Sequence, residues 1–410
     1  MRDPVASSPR PALPWREVVV AALATWLASR VGLVLFTVFH SALSSSQPQG
    51  VGALAASWVQ WDARWYIEIA HDAYTTGVIN GPVFCPCDGG AATRFFPLYP
   101  MLVGSVNVLL GGHQLVLSGL LVSNLALLAG LVGVGLVFAG EFPGRSPQVV
   151  LLMVVAYPLA FVMATSYSEA TFMAEVAFCL LALRREHWRL AALAAFLAAL
   201  TRPSAVALSL PIAWEFARRQ GWLPGEPRQE PRPPRTRAIL DGVILGAALP
   251  AGYGLFMLFL GRRFGDPLIG NRYHELLNGQ HFVYPWLVVA RMASGFAGVA
   301  PEWLAMRAVD LGAVAGVAAL TFWGRRDLPV SFILYVAALL AIHLSLPNVE
   351  FFGGDIIAGA GRYMTAAIPA FLVLGRRLEP RSYWLTAVVC SGWLLQAALL
   401  VRYFSEAYVE

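Results

Sequence analysis

The chain has 410 residues, of which 58% are hydrophobic and 13% charged, and its mean hydropathy is +0.63. These values exclude an ordinary soluble globular domain, in which roughly 25% of residues are charged, and they indicate an all-α polytopic membrane protein. The net charge of +5 would suggest nucleic-acid binding in a soluble protein. Here it is better explained by membrane orientation, so we expect no nucleic-acid partner.

Apolar windows near the length of a bilayer crossing predict about eleven transmembrane helices. Several of the windows, such as 188–200 and 203–217, are too short for a full crossing, so we expect half-helices or tilted pieces that line a cavity. The predicted windows are 17–40, 114–138, 149–165, 167–183, 188–200, 203–217, 239–260, 303–323, 329–346, 363–375 and 383–401.

Arginine placement predicts the orientation and the division of the chain. Residues 1–16 form a predicted cytoplasmic tail, and 17–217 form an N-terminal membrane block with a long first extracytoplasmic loop at 41–113. The Pro- and Arg-rich segment 218–238 is a predicted cytoplasmic linker, followed by a C-terminal membrane block at 239–410. Arginine is denser in the predicted inner segments than in the outer loops, which supports this orientation.

The first candidate site follows Trp61 in the first outer loop. A helix there would place Asp62, Trp65 and Tyr66 on one face, against the membrane surface. Asp62 then has two interpretations: a reactive carboxylate framed by aromatic rings, or a helix-dipole partner at the start of an interfacial amphipathic helix. The spacing alone leaves both open.

Further along the same loop, Arg94 precedes two phenylalanines and the prolines Pro97 and Pro100. The prolines predict a bend where the loop meets lipid, and Arg94 there could bind an anionic headgroup. Snorkelling of the Arg94 side chain to the interface is the alternative.

A third motif, Tyr167-Ser168-Glu169, stands at the predicted outer start of a span. Glu169 in a first turn is either a capping residue or part of a site. Glu175 lies deeper in the same span, where an ionisable residue needs a partner, and Arg30 in the first span is the predicted one.

Two arginines complete the candidate set, Arg202 between two short helices and Arg362 at the start of the tenth predicted span. An arginine inside the membrane usually has a counter-charge, for which a lipid phosphate would serve. Pairing with Glu169 or Glu350 is the alternative.

In this order and at these distances, the motifs resemble the phosphatidylinositol-glycan class V family, whose members are similar to GPI mannosyltransferase II and belong to the glycosyltransferase C superfamily, with bacterial relatives. The resemblance covers most of the chain from about residue 20 to 400. The matching segments are Trp61-Asp62 with Ile69-Ala70 and Tyr74, Phe95-Phe96-Pro97-Leu98-Tyr99-Pro100, Tyr167-Ser168-Glu169, Thr201-Arg202-Pro203, Gly265-Asp266-Pro267-Leu268, and Arg362-Tyr363 with Pro369.

The resemblance implies a glycosyltransferase C-type fold in the plasma membrane with an extracytoplasmic active site. It implies a polyprenyl-phosphate sugar donor, with mannose as the expected sugar, and a glycolipid, polysaccharide or protein acceptor. The reaction would be inverting, with no metal and no cofactor, because arginines can stabilise a leaving phosphate. A lipid-linked sugar transporter or flippase, or a transferase for another sugar such as a pentose, stays an alternative.

The resemblance assigns the catalytic and binding roles to residues of these motifs. Asp62 is the expected general base for the acceptor hydroxyl. The expected ligands of the donor phosphate are Arg94, Arg202 and Arg362. The expected substrate pocket comprises Trp61, Trp65, Tyr66, Tyr167, Glu169 and Tyr363.

Overall fold

A computed structural model describes residues 12–43, 50–74, 90–223, 234–294, 301–347 and 359–405. In these ranges all regular secondary structure is helical, which confirms the predicted all-α class. The α-helices are α1 (Trp15–Leu43), α2 (Val51–Ala56), α3 (Asp62–Asp72), α4 (Leu98–Leu109), α5 (Leu115–Glu141), α6 (Pro147–Val155), α7 (Glu169–Arg184), α8 (Trp188–Thr201), α9 (Ser209–Gln220), α10 (Arg235–Phe264), α11 (Ile269–Asn278), α12 (Pro285–Ser294), α13 (Pro301–Gly324), α14 (Val330–Ser345), α15 (Ala360–Tyr363), α16 (Ile368–Leu378) and α17 (Ser382–Phe404).

Five helices in the described ranges are long and apolar enough to cross a membrane, namely α1, α5, α10, α17 and the 304–324 part of α13. Shorter apolar helices are α4, α8 and α14. The long helices expose large apolar side chains, such as Leu35 on α1, Leu258 on α10 and Leu394 on α17. Such faces suit lipid, and the set fits a multi-pass membrane protein. The count of eleven spans stays a prediction.

Three of the predicted windows are not continuous α-helices. The window 149–165 is interrupted after α6, where Pro158 precedes a 3₁₀ turn at Ala160–Met163. The window 203–217 begins with a 3₁₀ turn at Pro203–Leu208, and 363–375 contains another at Met364–Ala366. Proline has no backbone N–H and its ring clashes with the preceding turn, so hydrophobicity alone overestimated these helices.

Side chains from both predicted blocks share the largest buried core. Helix α7 is at its centre, with nearly all of its side chains buried. Helices α5 and α8 pack on α7, and α10 packs on α8. This arrangement places the two ends of α7 at the two ends of the core.

Candidate functional site

Four charged side chains form a continuous chain of ion pairs near the start of α7. Asp62 Oδ2 lies 2.7 Å from Arg362 Nη2. Arg362 Nε lies 3.1 Å from Glu169 Oε1, and the same oxygen lies 2.6 Å from Arg202 Nη1. The structure therefore brings together four residues that are up to 300 positions apart in the sequence, and Glu169 is the carboxylate that pairs with both arginines.

Each of these residues stands at or near the end of a helix. Asp62 is the first residue of α3 and Glu169 the first of α7, where a negative charge is stabilised by the helix dipole. Arg202 directly follows α8, where a positive charge is favoured. Arg362 lies in the short helix α15. The cluster thus forms where four chain segments start or stop, which explains how charge is tolerated inside an apolar fold.

Asp62 is the most accessible member of this cluster. Its side chain is 29% exposed, against 3% for Glu169 and 8% for Arg362. Among the described residues Arg362 is its one ion-pair partner, whereas Glu169 pairs with two arginines. The residue before it, Trp61, has a φ of 50°, which is strained for a side chain of this size. Such strain is found preferentially at functional sites. Asp62 is therefore the carboxylate that a ligand can reach.

Arg94 lies beside the cluster but has a different environment. Its Nε donates to the carbonyl of Ala91 at 3.1 Å and its Nη1 to Asn278 Oδ1 at 3.4 Å. Its guanidinium lies 5.8 Å from the centre of the Trp65 ring. Burial lowers its pKa, while the negative charge of Asp62 acts in the opposite direction. In the described part of the chain no carboxylate is within ion-pair distance of Arg94, so its charge is left for another anion.

Helix α11 supports Arg94 through close contact with the 3₁₀ turn Ala91–Arg94. A Cβ on Gly270 would lie 2.5 Å from the carbonyl oxygen of Thr93, and one on Gly90 would lie 2.1 Å from the Tyr273 ring. Both positions therefore require glycine. The approach also buries His274, whose pKa falls to about 4 because of burial and the positive charge of Arg94. His274 is consequently neutral at physiological pH.

A small cleft that is partly open to solvent has Arg94 and His274 in its lining. Its walls are mainly apolar and come from α10, α11 and the segment around Phe96. Pro203, next to Arg202, also lines it. The cleft therefore combines one arginine with mainly apolar walls, which suits part of an amphipathic ligand.

Of the six predicted pocket residues, Glu169 belongs to the cluster itself, and the five aromatic ones surround it to different degrees. Tyr363 lies between charges, with the Arg202 guanidinium 4.7 Å and the Arg362 guanidinium 5.1 Å from its ring centre. Tyr167 is fully buried and donates to the carbonyl of Gln60 at 3.1 Å.

The other aromatic members lie in α3 or directly before it. Tyr66 is buried with its hydroxyl 2.8 Å from Ser168 Oγ. Trp65 stacks on Phe95 with ring centres 5.7 Å apart, and Trp61 packs partly buried on the core. Tyr66 and Tyr167 are therefore buried next to the cluster, while Trp61, Trp65 and Tyr363 are only half-buried.

The predicted pairing of Arg30 with Glu175 is wrong. Arg30 donates to Asn124 Oδ1 at 2.7 Å, and Glu175 Oε1 accepts from the Thr201 hydroxyl at 2.8 Å. Hydroxyl and amide groups on neighbouring helices take the place of the ion pair, and Glu175 Oε2 is buried without a hydrogen-bond partner in the described part of the chain. Of the alternatives for Arg202 and Arg362, pairing with Glu169 is confirmed, whereas Glu350 lies outside the described residues.

Sequence reasoning missed several neighbours of the site. Ser168 Oγ lies 3.4 Å from Arg202 Nη1. His343 stacks on Tyr363 with ring centres 4.2 Å apart and lies 3.2 Å from Ser204 Oγ. His274 was also missed, although it follows the Gly265-Asp266-Pro267-Leu268 motif by only six residues. That motif is the sequence signal that could have found it.

Among the described residues, no group of three or more His, Cys, Asp or Glu side chains could hold a metal ion. Cys85 and Cys87 lie outside those residues, while Cys179 is buried and Cys390 exposed, both as free thiols. Comparison with protein-family models, curated proteins and solved structures gave no match.

Proposed function

We propose that this chain is a membrane glycosyltransferase that transfers a sugar, with mannose as our first candidate, from a polyprenyl-phosphate donor to an acceptor hydroxyl. The reaction takes place on the extracytoplasmic face of the plasma membrane, inverts the anomeric centre and needs no metal. The observation that carries the proposal is an accessible carboxylate near an arginine that has no carboxylate of its own. Asp62 is 29% exposed and pairs with Arg362 alone among the described residues, and Arg94, which interacts electrostatically with Asp62, has no carboxylate within ion-pair distance there.

The proposed roles follow from this arrangement. Asp62 accepts the proton of the acceptor hydroxyl, whose oxygen forms a bond with the anomeric carbon from the side opposite the phosphate. The bond between that carbon and the phosphate oxygen breaks, and polyprenyl phosphate leaves with the negative charge. Arg94 binds this phosphate by charge-assisted hydrogen bonds, and Arg202 and Arg362 add positive potential.

The cleft suits the rest of such a donor. Arg94 in its lining would contact the phosphate, and its apolar walls, which include Phe256, Met257 and Leu260, would contact the start of the hydrocarbon chain. Glu169 has a different part in this proposal. It holds Arg202 and Arg362 in place through a single shared oxygen, so it orients the arginines and does not take a proton.

A transfer assay tests the proposal. Purified protein in lipid is incubated with radiolabelled polyprenyl-phosphate mannose and a total lipid extract. We expect label in a new acceptor that survives mild acid, which cleaves the donor. Label transferred only from a polyprenyl-phosphate pentose would correct the sugar and keep the mechanism. No transfer from any polyprenyl-phosphate sugar would reject the proposal.

Cysteine labelling tests the proposed face. His113 in the first loop and Trp222 after α9 are both exposed. In a background without native cysteines, His113→Cys should react with an impermeant maleimide from outside intact cells, and Trp222→Cys should react only after permeabilisation. The reverse pattern would place the charged cluster on the cytoplasmic side.

One observation favours the second candidate, a lipid-linked sugar flippase. Helix α7 carries ionisable residues along its length, with Glu169 at its start, Glu175 in its middle and Arg184 at its end. A transport path would need polar groups at several depths. The transfer assay separates the two functions, because a flippase moves labelled lipid between leaflets without forming a new covalent product.

A further inference from the structure

The backbone before Arg362 is held by a carboxylate from a distant membrane helix. Asp310 of α13 is 1% exposed. Its Oδ1 accepts a hydrogen bond from the backbone N–H of Gly361 at 2.6 Å, and its Oδ2 accepts one from the N–H of Gly359 at 3.3 Å. Both carboxylate oxygens of Asp310 thus accept hydrogen bonds from the backbone of the two residues that flank Ala360. An ionisable residue in a membrane helix is costly, which makes a function for Asp310 the first hypothesis.

The chain around Arg362 is built for this contact. Gly359 has a φ of 80°, a conformation that residues with a Cβ rarely adopt. A Cβ on Gly361 would lie 2.8 Å from Asp310 Oδ1 and 2.7 Å from Leu159 Cδ1. Only glycine therefore lets the backbone approach the carboxylate.

The same peptide segment is fixed from its other side. The hydroxyl of Tyr157 donates to the carbonyl of Gly361 at 2.7 Å. Gly361 thus has both its N–H and its carbonyl bound by side chains from other elements, directly before Arg362. The next residue, Arg362, is the one that contacts both Asp62 and Glu169.

We propose that Asp310 is a positioning residue for Arg362. By binding the N–H groups of Gly359 and Gly361, it fixes the backbone from which Arg362 reaches Asp62, without touching the substrate itself. The role in transfer rests on the proposed function, whereas the backbone restraint does not. If the restraint is lost, Arg362 moves away from Asp62, and a displacement near 1 Å can lower a rate by roughly 10²-fold.

Hydrogen exchange tests the restraint without any substrate. In Asp310→Asn, an amide nitrogen replaces one acceptor oxygen, so peptides covering 359–363 should exchange about tenfold faster or more. Gly361→Ala, which pushes a methyl group against the carboxylate, should also speed exchange at 359–363. It replaces Asp310→Asn in the experiment if that variant does not fold. Asp241→Asn is the matched control, because Asp241 is buried in α10, where it forms an ion pair with Arg237 at 3.8 Å. Unchanged exchange at 359–363 in both variants would overturn the proposal.

A double-mutant comparison tests the link to Arg362. Asp310→Asn should lower the transfer rate by about 10²-fold in the wild-type background. In an Arg362→Lys background it should cause little further loss, because the group that Asp310 positions is already gone. An equal loss in both backgrounds would show that Asp310 acts on stability alone and would reject the positioning role. If the wild type transfers no sugar, the proposed function fails, and the exchange result still decides whether Asp310 holds the segment.

Discussion

Two arginine–carboxylate clusters lie at opposite ends of α7, and they differ in how completely their charges are compensated. At the end of the helix, Arg184 contacts both oxygens of Glu141, at 2.7 and 3.0 Å, and Glu215 at 3.0 Å. Glu215 is 1% exposed and also accepts from Arg218 at 2.8 Å and from the hydroxyl of Ser331 at 2.6 Å. Every carboxylate oxygen in this cluster therefore has a partner.

The cluster at the start of α7, formed by Asp62, Glu169, Arg202 and Arg362 with Arg94 beside it, has the same residue types, but not all of its charges are compensated. We call it the open cluster, and we call the cluster at the end of α7 the saturated cluster. Asp62 is partly exposed and has one ion-pair partner among the described residues, Arg94 has no carboxylate within ion-pair distance there, and Arg94 lines a cleft. A saturated buried network can contribute only to the fold, since breaking it leaves an uncompensated charge. The open cluster can do chemistry, because its remaining charge is available to a ligand.

The largest loss of transfer is expected from Asp62→Asn, a substitution in the open cluster. The amide cannot take the acceptor proton, so the transfer rate should fall by about 10²–10⁴-fold. Folding should survive, because Arg362 keeps its ion pair with the buried Glu169 and because the partly exposed Asp62 contributes only about 0.3–1 kcal/mol as a helix-dipole partner. Steady-state transfer and thermal unfolding measure the two effects.

Glu68→Gln is the control, since Glu68 lies on the same helix six residues later and should be nearly silent. A folded Asp62→Asn protein with normal transfer would show that the base is misplaced. Glu169 would be the next carboxylate to replace.

Substitution in the saturated cluster should lower the stability of the fold and leave the transfer rate nearly unchanged. Arg184→Gln leaves the buried Glu215 with one cation fewer, and removal of one partner of a buried pair costs about 3–5 kcal/mol. We expect a lower midpoint in denaturant unfolding and near-normal transfer per folded molecule. Loss of transfer at unchanged stability would contradict the division between the clusters.

Chelation of divalent metals should have the smallest effect. Arginines provide the positive charge that a metal would otherwise supply, so excess EDTA should leave transfer unchanged. The assay is run before and after chelation on the same sample. Activity that disappears and returns only with Mg²⁺ or Mn²⁺ would direct attention to Asp62, Glu68 and Asp72 as ligands.

The sequence predicted the members of the open cluster better than their contacts. Asp62, Glu169, Arg202 and Arg362 each stand out because charge is rare in apolar segments. That a single oxygen of Glu169 joins two of these arginines could not be predicted, because it depends on how helix ends from distant parts of the chain meet.

Other parts of the fold were less predictable for similar reasons. Asp310 lies inside a predicted span with no motif around it, and its role follows only from the loop that packs on it. The proline-interrupted windows show the limit of hydropathy, which reports lipid compatibility and not helix continuity. The helical class, by contrast, follows directly from the absence of water in the bilayer, where backbone groups must be satisfied within helices.

The most direct test of the open cluster measures donor-phosphate binding without catalysis. Polyprenyl phosphate lacking the sugar is titrated into wild-type protein, Arg94→Gln and Arg184→Gln. Loss of a charge-assisted hydrogen bond at Arg94 should raise the Kd by about 10–10²-fold, while Arg184→Gln should bind as the wild type does. Equal affinity for Arg94→Gln and the wild type, or equal weakening in both variants, would contradict the assignment of the open cluster to the donor.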